Sequence, residues 1–323
     1  MHVKKFFQNF WTVLKGSFNA FINDNAMKLS ASLSYYTVFS LAPLLIVVIS
    51  LLGVFYGREA IQGRIYGQID SVIGKSAALQ IQEIIKNVQI SGDSHMGAII
   101  GIATLIFSAT GVFIEIQDSI NSVWSIKAKP KQGWFKFIQN RLLSFSLIIT
   151  LGFLLLVSLI VSAFLDILSQ QLERLFSDYT LYIAYALNYI LIICVITALF
   201  AIIFKVLPDG NPRWKDTLIG AAFTAVLFTL GKFLISFYLG QSDVGSTYGA
   251  AGSIIVILLW VYYSSIILYF GAEFTKVYSQ CFGTPIEPSK HAVFIVKEET
   301  EHSANEMKTI NHENKKSSLL AEK

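Results

Sequence analysis

Three observations predict an all-α polytopic membrane protein. The 323 residues are 54% hydrophobic and only 14% charged, with a mean hydropathy of +0.58, where soluble domains carry about 25% charged residues. Six apolar runs, near 29–56, 97–119, 142–167, 182–206, 217–239 and 250–275, each reach the roughly 20 residues needed to cross a hydrocarbon core of about 30 Å. None of them alternates apolar with polar residues as barrel strands do, so the backbone groups must bond within each run, as helix.

The elements follow in order. In residues 1–28, Phe6, Phe10, Leu14, Phe18 and Phe21 recur at helical spacing with lysines at either end, which predicts an interfacial helix on the inner face. Gln8, Asn9 and Lys15 interrupt the opening apolar stretch, unlike a cleaved secretory signal. The first span reads MKLSASLSYYTVFSLAPLLIVVISLLGVF, with its polar residues in one half. Ser30, Ser34 and Thr37 form a stripe, joined by Tyr35, Tyr36 and Ser40 before Pro43. That proline removes one backbone bond and favours a kink. Such hydroxyls either bond to their own backbone and serve tight packing, or line a polar path. In the connection after this span, Ala77, Ile81, Ile84 and Val88 lie opposite Gln82, Glu83, Lys86 and Asn87, an amphipathic helix resting on the membrane or capping the bundle.

An ionisable residue inside a span is a functional candidate by default. Glu115 and Asp118, in GVFIEIQDSINSVW, are three apart on one helix face that Ser119 and Ser122 continue. Glu115 falls roughly 10 Å from the midplane at 1.5 Å per residue. The alternative is an inner helix end bonded to the basic connection that follows. Asn188 in the fourth span and Lys232 in the fifth lie near one depth, although a lysine can snorkel to the interface along its stem. Before the sixth span, Gly245, Gly249 and Gly252 permit close helix approach, whether within the chain or between copies of it. Glu273 ends that span with Lys276 one turn on, which reads as a structural pair.

Orientation follows the lysines and arginines. The N-terminal segment holds Lys4, Lys5, Lys15 and Lys28; the second connection Lys127, Lys129, Lys131, Lys136 and Arg141; the fourth Lys205, Arg213 and Lys215. The third has Arg174 alone and the fifth none, so both termini are expected inside. The expected organisation is an interfacial helix over 1–28, a six-helix transmembrane domain over 29–280, and a disordered cytoplasmic tail over 281–323, where Glu, Lys, Asn and Ser dominate.

The YGAAGS, LLWVYYSS and FGAEFTK segments of the sixth span, LSASLSYYTVFSLAPLL in the first and GVFIEIQDSINSVW in the second together resemble the YihY/BrkB family of bacterial inner-membrane proteins, over residues 10–280. The resemblance implies a six-helix integral inner-membrane protein. The family has been linked to serum resistance, suggested to transport, and in some members labelled ribonuclease. Nothing in these residues matches that last label. Four of the five histidines, His2, His95, His291, His302 and His312, lie in the terminal segments, and none is paired at metal-ligand spacing. No basic groove with interleaved aromatics, nucleotide-binding loop or hydrolase motif occurs. Cys194 and Cys281 suggest neither a disulfide nor a metal site.

The expectation is therefore a non-enzymatic transporter or lipid-handling permease without its own ATPase or cofactor. It would sit in the bacterial inner membrane with a polar cavity, lined by spans one, two and six, open to the cytoplasm. Its partners would be membrane lipids, a solute or lipid substrate, and a further copy of itself, but not nucleic acid. The competing class is a non-transporting envelope scaffold that holds partners through the outer hairpin, the basic loops and the tail.

Overall fold

Residues 252–282 contain no proline and only one charge pair, and their long apolar side chains suit a helix whose backbone must satisfy itself in lipid. In a computed structural model, which describes residues 2–40, 79, 111–129, 179–241 and 252–295, they form one helix, Gly252–Phe282. The described helices, in chain order, are α1 (His2–Asn23), α2 (26–40), α3 (111–123), α4 (Tyr179–Val206), α5 (Trp214–Gln241) and α6 (Gly252–Phe282). Among the described residues, Tyr189–Val206, Trp214–Tyr238 and Ile254–Phe282 are long and apolar enough to cross a membrane. These overlap the expected spans four to six, 182–206, 217–239 and 250–275, with ends that differ by up to seven residues. Spans one and two are described in part, as α2 and α3, while 142–167 and the amphipathic outer helix, Leu79 apart, lie outside the described residues.

α5 and α6 run antiparallel and interlock. A Cβ placed on Gly220 would lie 1.9 Å from Thr275 Oγ1, one on Gly271 2.0 Å from Thr224 Oγ1, and one on Gly231 2.7 Å from Ile267 Cδ1. Each threonine fills the notch left by the opposite glycine, and its hydroxyl donates to the glycine carbonyl of its own helix: Thr224 to Gly220 at 2.7 Å, Thr275 to Gly271 at 2.8 Å. Phe223 and Phe274 stack between the two notches, centroids 3.8 Å apart at 15°. The two contact segments are GAAFT (220–224) and GAEFT (271–275), so one short motif used twice packs against itself in near two-fold fashion. Close approach of small residues is what holds helices together where apolar burial against lipid supplies no driving force. Tight packing thus falls on Gly220, Gly231 and Gly271. Gly245 and Gly249 lie outside the described residues, and Gly252 only opens α6.

α4 joins the other side of α5 through Phe200 and Phe228, whose rings meet edge-on at 5.8 Å. α1 lies on α6: Val13, Ser17 and Phe21 are buried, Gly16 faces Val277, and Phe10 reaches both Phe223 and Phe274. The packed stripe is therefore centred on Val13 and Ser17, one side of the phenylalanine stripe expected from the sequence. Phe7, Trp11, Phe18 and Ile22 occupy the adjoining arc and are exposed, while Lys5, Gln8, Thr12, Lys15 and Asn19 fall on the rest of the helical circumference. An apolar arc wider than its protein contact, bordered by polar residues, suits a helix in a membrane interface.

Asn25 ends the α1–α2 connection in the left-handed region, φ 53°, a conformation asparagine tolerates better than most residues; its carbonyl receives the first amides of α2, from Lys28 and Leu29. Ser125, φ 57°, turns the chain out of α3 in the same way. Among the described residues, four short strands then gather the connections. β1 (Ile126–Ala128) pairs with β4 (Ala292–Phe294), and β2 (Gly210–Asn211) pairs antiparallel with β3 (Glu287–Pro288) in the register Gly210↔Pro288. The second connection, the fourth and the segment after α6 therefore meet at one end of the bundle, the end that charge counting makes basic. Composition predicts a disordered tail from 281 onward; instead α6 runs to Phe282, and the strands that follow within 283–295 are held by Ser289 N donating to Asp209 O at 2.7 Å and Lys129 N donating to His291 O at 2.8 Å. Their bonds run to segments distant in sequence, so local composition carries no trace of them.

Candidate functional site

Two polar clusters lie where α3, α6 and the α1–α2 connection meet. The first is built on α3. Ser119 Oγ donates to Glu115 Oε1 at 3.4 Å, one helical turn back. Ser119 is buried and Glu115 partly so. Tyr269 of α6, fully buried, brings its hydroxyl toward Ser119 with Glu115 behind it, yet that hydroxyl completes no hydrogen bond of ordinary geometry among the described residues. A buried hydroxyl without a partner costs about 1–3 kcal/mol, so its retention calls for a reason. Asp118, on the same face by spacing, is exposed. Gln117 and Asn121 point elsewhere, to Asp209 in the fourth connection.

The second cluster is centred on Lys276. Its ammonium donates to Asp24 Oδ2 at 3.2 Å and to the Val123 carbonyl, and stands 3.6 Å from Glu273 Oε2. One cation thus ties α6 to the α1–α2 connection and to the end of α3. Trp124 reinforces the joint, its indole N–H donating to Ala272 O at 3.1 Å. The expected Glu273–Lys276 pair is present, but Glu273 is fully buried rather than facing an aqueous interface. In the repeated motif Ala222, exposed on α5, stands where Glu273 stands on α6; the carboxylate occupies the copy that the α1–α2 connection covers.

The first-span residues are arranged differently. Ser30, Ser34, Thr37 and Ser40 each donate to a carbonyl of α2, at 2.8 Å. Their hydroxyl protons are therefore committed to their own helix. Tyr36 lies against Gly111 of α3, where an added Cβ would sit 3.4 Å from Tyr36 Cδ1, so α2 and α3 are neighbours. Tyr35 and Tyr36 are exposed. Lys232 is partly buried on α5, Asn188 is described through its backbone only, and Pro43 lies outside the described residues. Cys194 and Cys281 are free and exposed, and no cluster of three metal-ligating His, Cys, Asp or Glu residues occurs among the described residues.

Asp24, Asn121, Asp209 and Tyr269 are the site residues that sequence spacing does not pick out. Asn121 and Asp209 exchange two hydrogen bonds, Asn121 Nδ2 to Asp209 Oδ2 at 2.9 Å and Asp209 N to Asn121 Oδ1 at 2.8 Å, across 88 residues of chain. Asn121→Leu is expected to destabilise the protein by about 1–3 kcal/mol, because it leaves the Asp209 amide without its acceptor. Thermal unfolding in detergent measures this, and an unchanged midpoint would show that the two bonds contribute nothing.

The family model described as Virulence factor BrkB matches residues 17–295. The chain belongs to the BrkB family. Both polar clusters lie wholly inside the matched region. Relatives of this BrkB-family chain include the UPF0761 membrane protein of Pseudoalteromonas atlantica, 29% identical over 76% of this chain and 78% of that one. Those of Stenotrophomonas maltophilia and Azotobacter vinelandii, 26% and 28% identical, cover 83% and 82% of this chain. The chain spans 61% and 62% of the length of these last two. No solved structure matches. The names of these relatives, with the apolar helices, make this BrkB-family chain a membrane protein.

Proposed function

We propose that this membrane protein is a transporter or lipid-handling permease that does not hydrolyse nucleotide, with a polar site between spans one, two and six opening toward the basic, cytoplasmic end. On this reading it lies in the bacterial inner membrane with both termini inside, and it is not an enzyme. The observation that carries the proposal is the Tyr269 hydroxyl, buried beside Ser119 and Glu115 without a completed hydrogen bond. A donor held in that state at a helix junction is ready for a polar group that passes or binds there. The contact of Tyr36 with Gly111 supports adding span one to the lining. The back-bonded hydroxyls of α2 put the weight on Glu115, Ser119 and Tyr269.

The test is reconstitution into vesicles of bacterial phospholipid, following both movement of fluorescent lipid between leaflets and release of trapped solutes. Glu115→Gln and Tyr269→Phe are expected to slow the flux that wild type supports by about tenfold, which corresponds to some 1.4 kcal/mol on the barrier, with the variants folded and inserted at normal levels. Wild-type rates in both variants, or no flux through the native protein in either assay, would sink the proposal. In the latter case a scaffold remains.

A further inference from the structure

Glu273 is 0% exposed, and neither carboxylate oxygen has a hydrogen-bond donor among the described residues. The charged groups that face it there are Lys276, on its own helix, and Asp24, from the α1–α2 connection; the end of α3 contributes only the neutral Val123 carbonyl and the Trp124 indole. Among the described residues, two carboxyl groups and one ammonium therefore face one another at the junction. That ammonium is already directed to Asp24 at 3.2 Å and to the Val123 carbonyl, leaving Glu273 the longer contact of 3.6 Å. A buried carboxylate with a fraction of one cation and no N–H donor is left largely uncompensated, and desolvating an ion costs several kcal/mol. Where two carboxyls share a site, one of them takes a proton. A metal ion would require several oxygen ligands, and no such cluster occurs among the described residues.

We infer that Glu273 holds an exchangeable proton in the resting protein at neutral pH, and that Lys276 responds to its state. With the proton in place, Lys276 belongs to Asp24 and the Val123 carbonyl and clamps the α1–α2 connection and the end of α3 onto α6. When the proton leaves, Glu273 competes for the same ammonium and the clamp slackens. The site is one of proton binding, and it stands whether or not Glu115 and Tyr269 line a transport path.

The experiment is infrared difference spectroscopy of the full chain in lipid nanodiscs, reading the C=O stretch of protonated carboxylic acid at neutral pH. The expected result is a band in wild type that Glu273→Gln removes and that raising the pH bleaches. Two further variants predict opposite outcomes. Asp24→Asn removes the carboxylate that competes with Glu273 for Lys276 and should weaken the band; Lys276→Met removes the cation and should preserve it to higher pH. A group that merely packs would respond to neither. Should Glu273→Gln fail to fold, the opposed shifts of the other two variants decide. The inference is overturned by the absence of a band in wild type, by a band that survives Glu273→Gln, by identical spectra in Asp24→Asn and Lys276→Met, or by a band removed by sodium rather than by base.

Discussion

Gly220→Ala is expected to loosen the α5–α6 pair, lowering stability by about 1–3 kcal/mol, the range for one added methyl in a well-packed interior. The new Cβ would lie 1.9 Å from Thr275 Oγ1, 2.9 Å from its Cβ and 3.2 Å from its Cα. Rotating Thr275 relieves only the first of these contacts, at the expense of its bond to Gly271 O; the backbone contact forces the helices apart. That separation also disturbs the Phe223–Phe274 stack and Phe10 resting on it. Gly271→Ala should cost less, since its close contacts are all side-chain atoms of Thr224. Combining it with Thr224→Ala, which removes the 2.0 Å and 2.7 Å contacts, should recover stability, with a coupling of about 0.5–3 kcal/mol. Thermal unfolding of single and double variants in one detergent provides the cycle. Strict additivity would mean that Thr224 does not fill the Gly271 notch.

Lys276→Met carries the other large effect. Removing one partner of a buried ion pair costs about 3–5 kcal/mol. Lys276 and Asp24 retain side-chain exposures of 16% and 15%, which places the loss toward the lower end of that range. The defect should be local: the α1–α2 connection loses its anchor to α6, and amide exchange around residues 22–28 should accelerate more than exchange within α5. Adding Asp24→Asn to Lys276→Met removes the carboxylate that faced the ammonium and should restore part of the stability. A double variant no more stable than Lys276→Met alone would show that Asp24 is not what the lysine compensates.

Both predictions rest on the same two turns of α6, of which the linear sequence revealed some features and hid others. The length and apolarity of 250–275 were enough to place a spanning helix, and the spacing of Glu273 and Lys276 was enough to pair them, because a helix of known pitch puts residues three apart side by side. Asp24 could not be added, since 252 residues of chain separate it from Lys276 and no periodicity spans such a gap. The recurrence of GAAFT and GAEFT is visible in the sequence once sought. Its significance is not, because a glycine reads the same whether it meets a threonine of another helix or only lipid.

Hydrophobicity and charge, properties of local segments, suffice for the membrane class, the three long apolar helices among the described residues and the clustering of basic connections. Lipid enforces that locality: each span must satisfy its own backbone, so its length and composition alone mark it. Which faces meet is a separate matter. The Gly–Thr notches, the burial of Glu273, the approach of Tyr269 to Ser119 and the strands that join the connections arise only when helices distant in sequence come within contact range. At that distance an added methyl, or one ammonium shared by two carboxyls, is worth kilocalories.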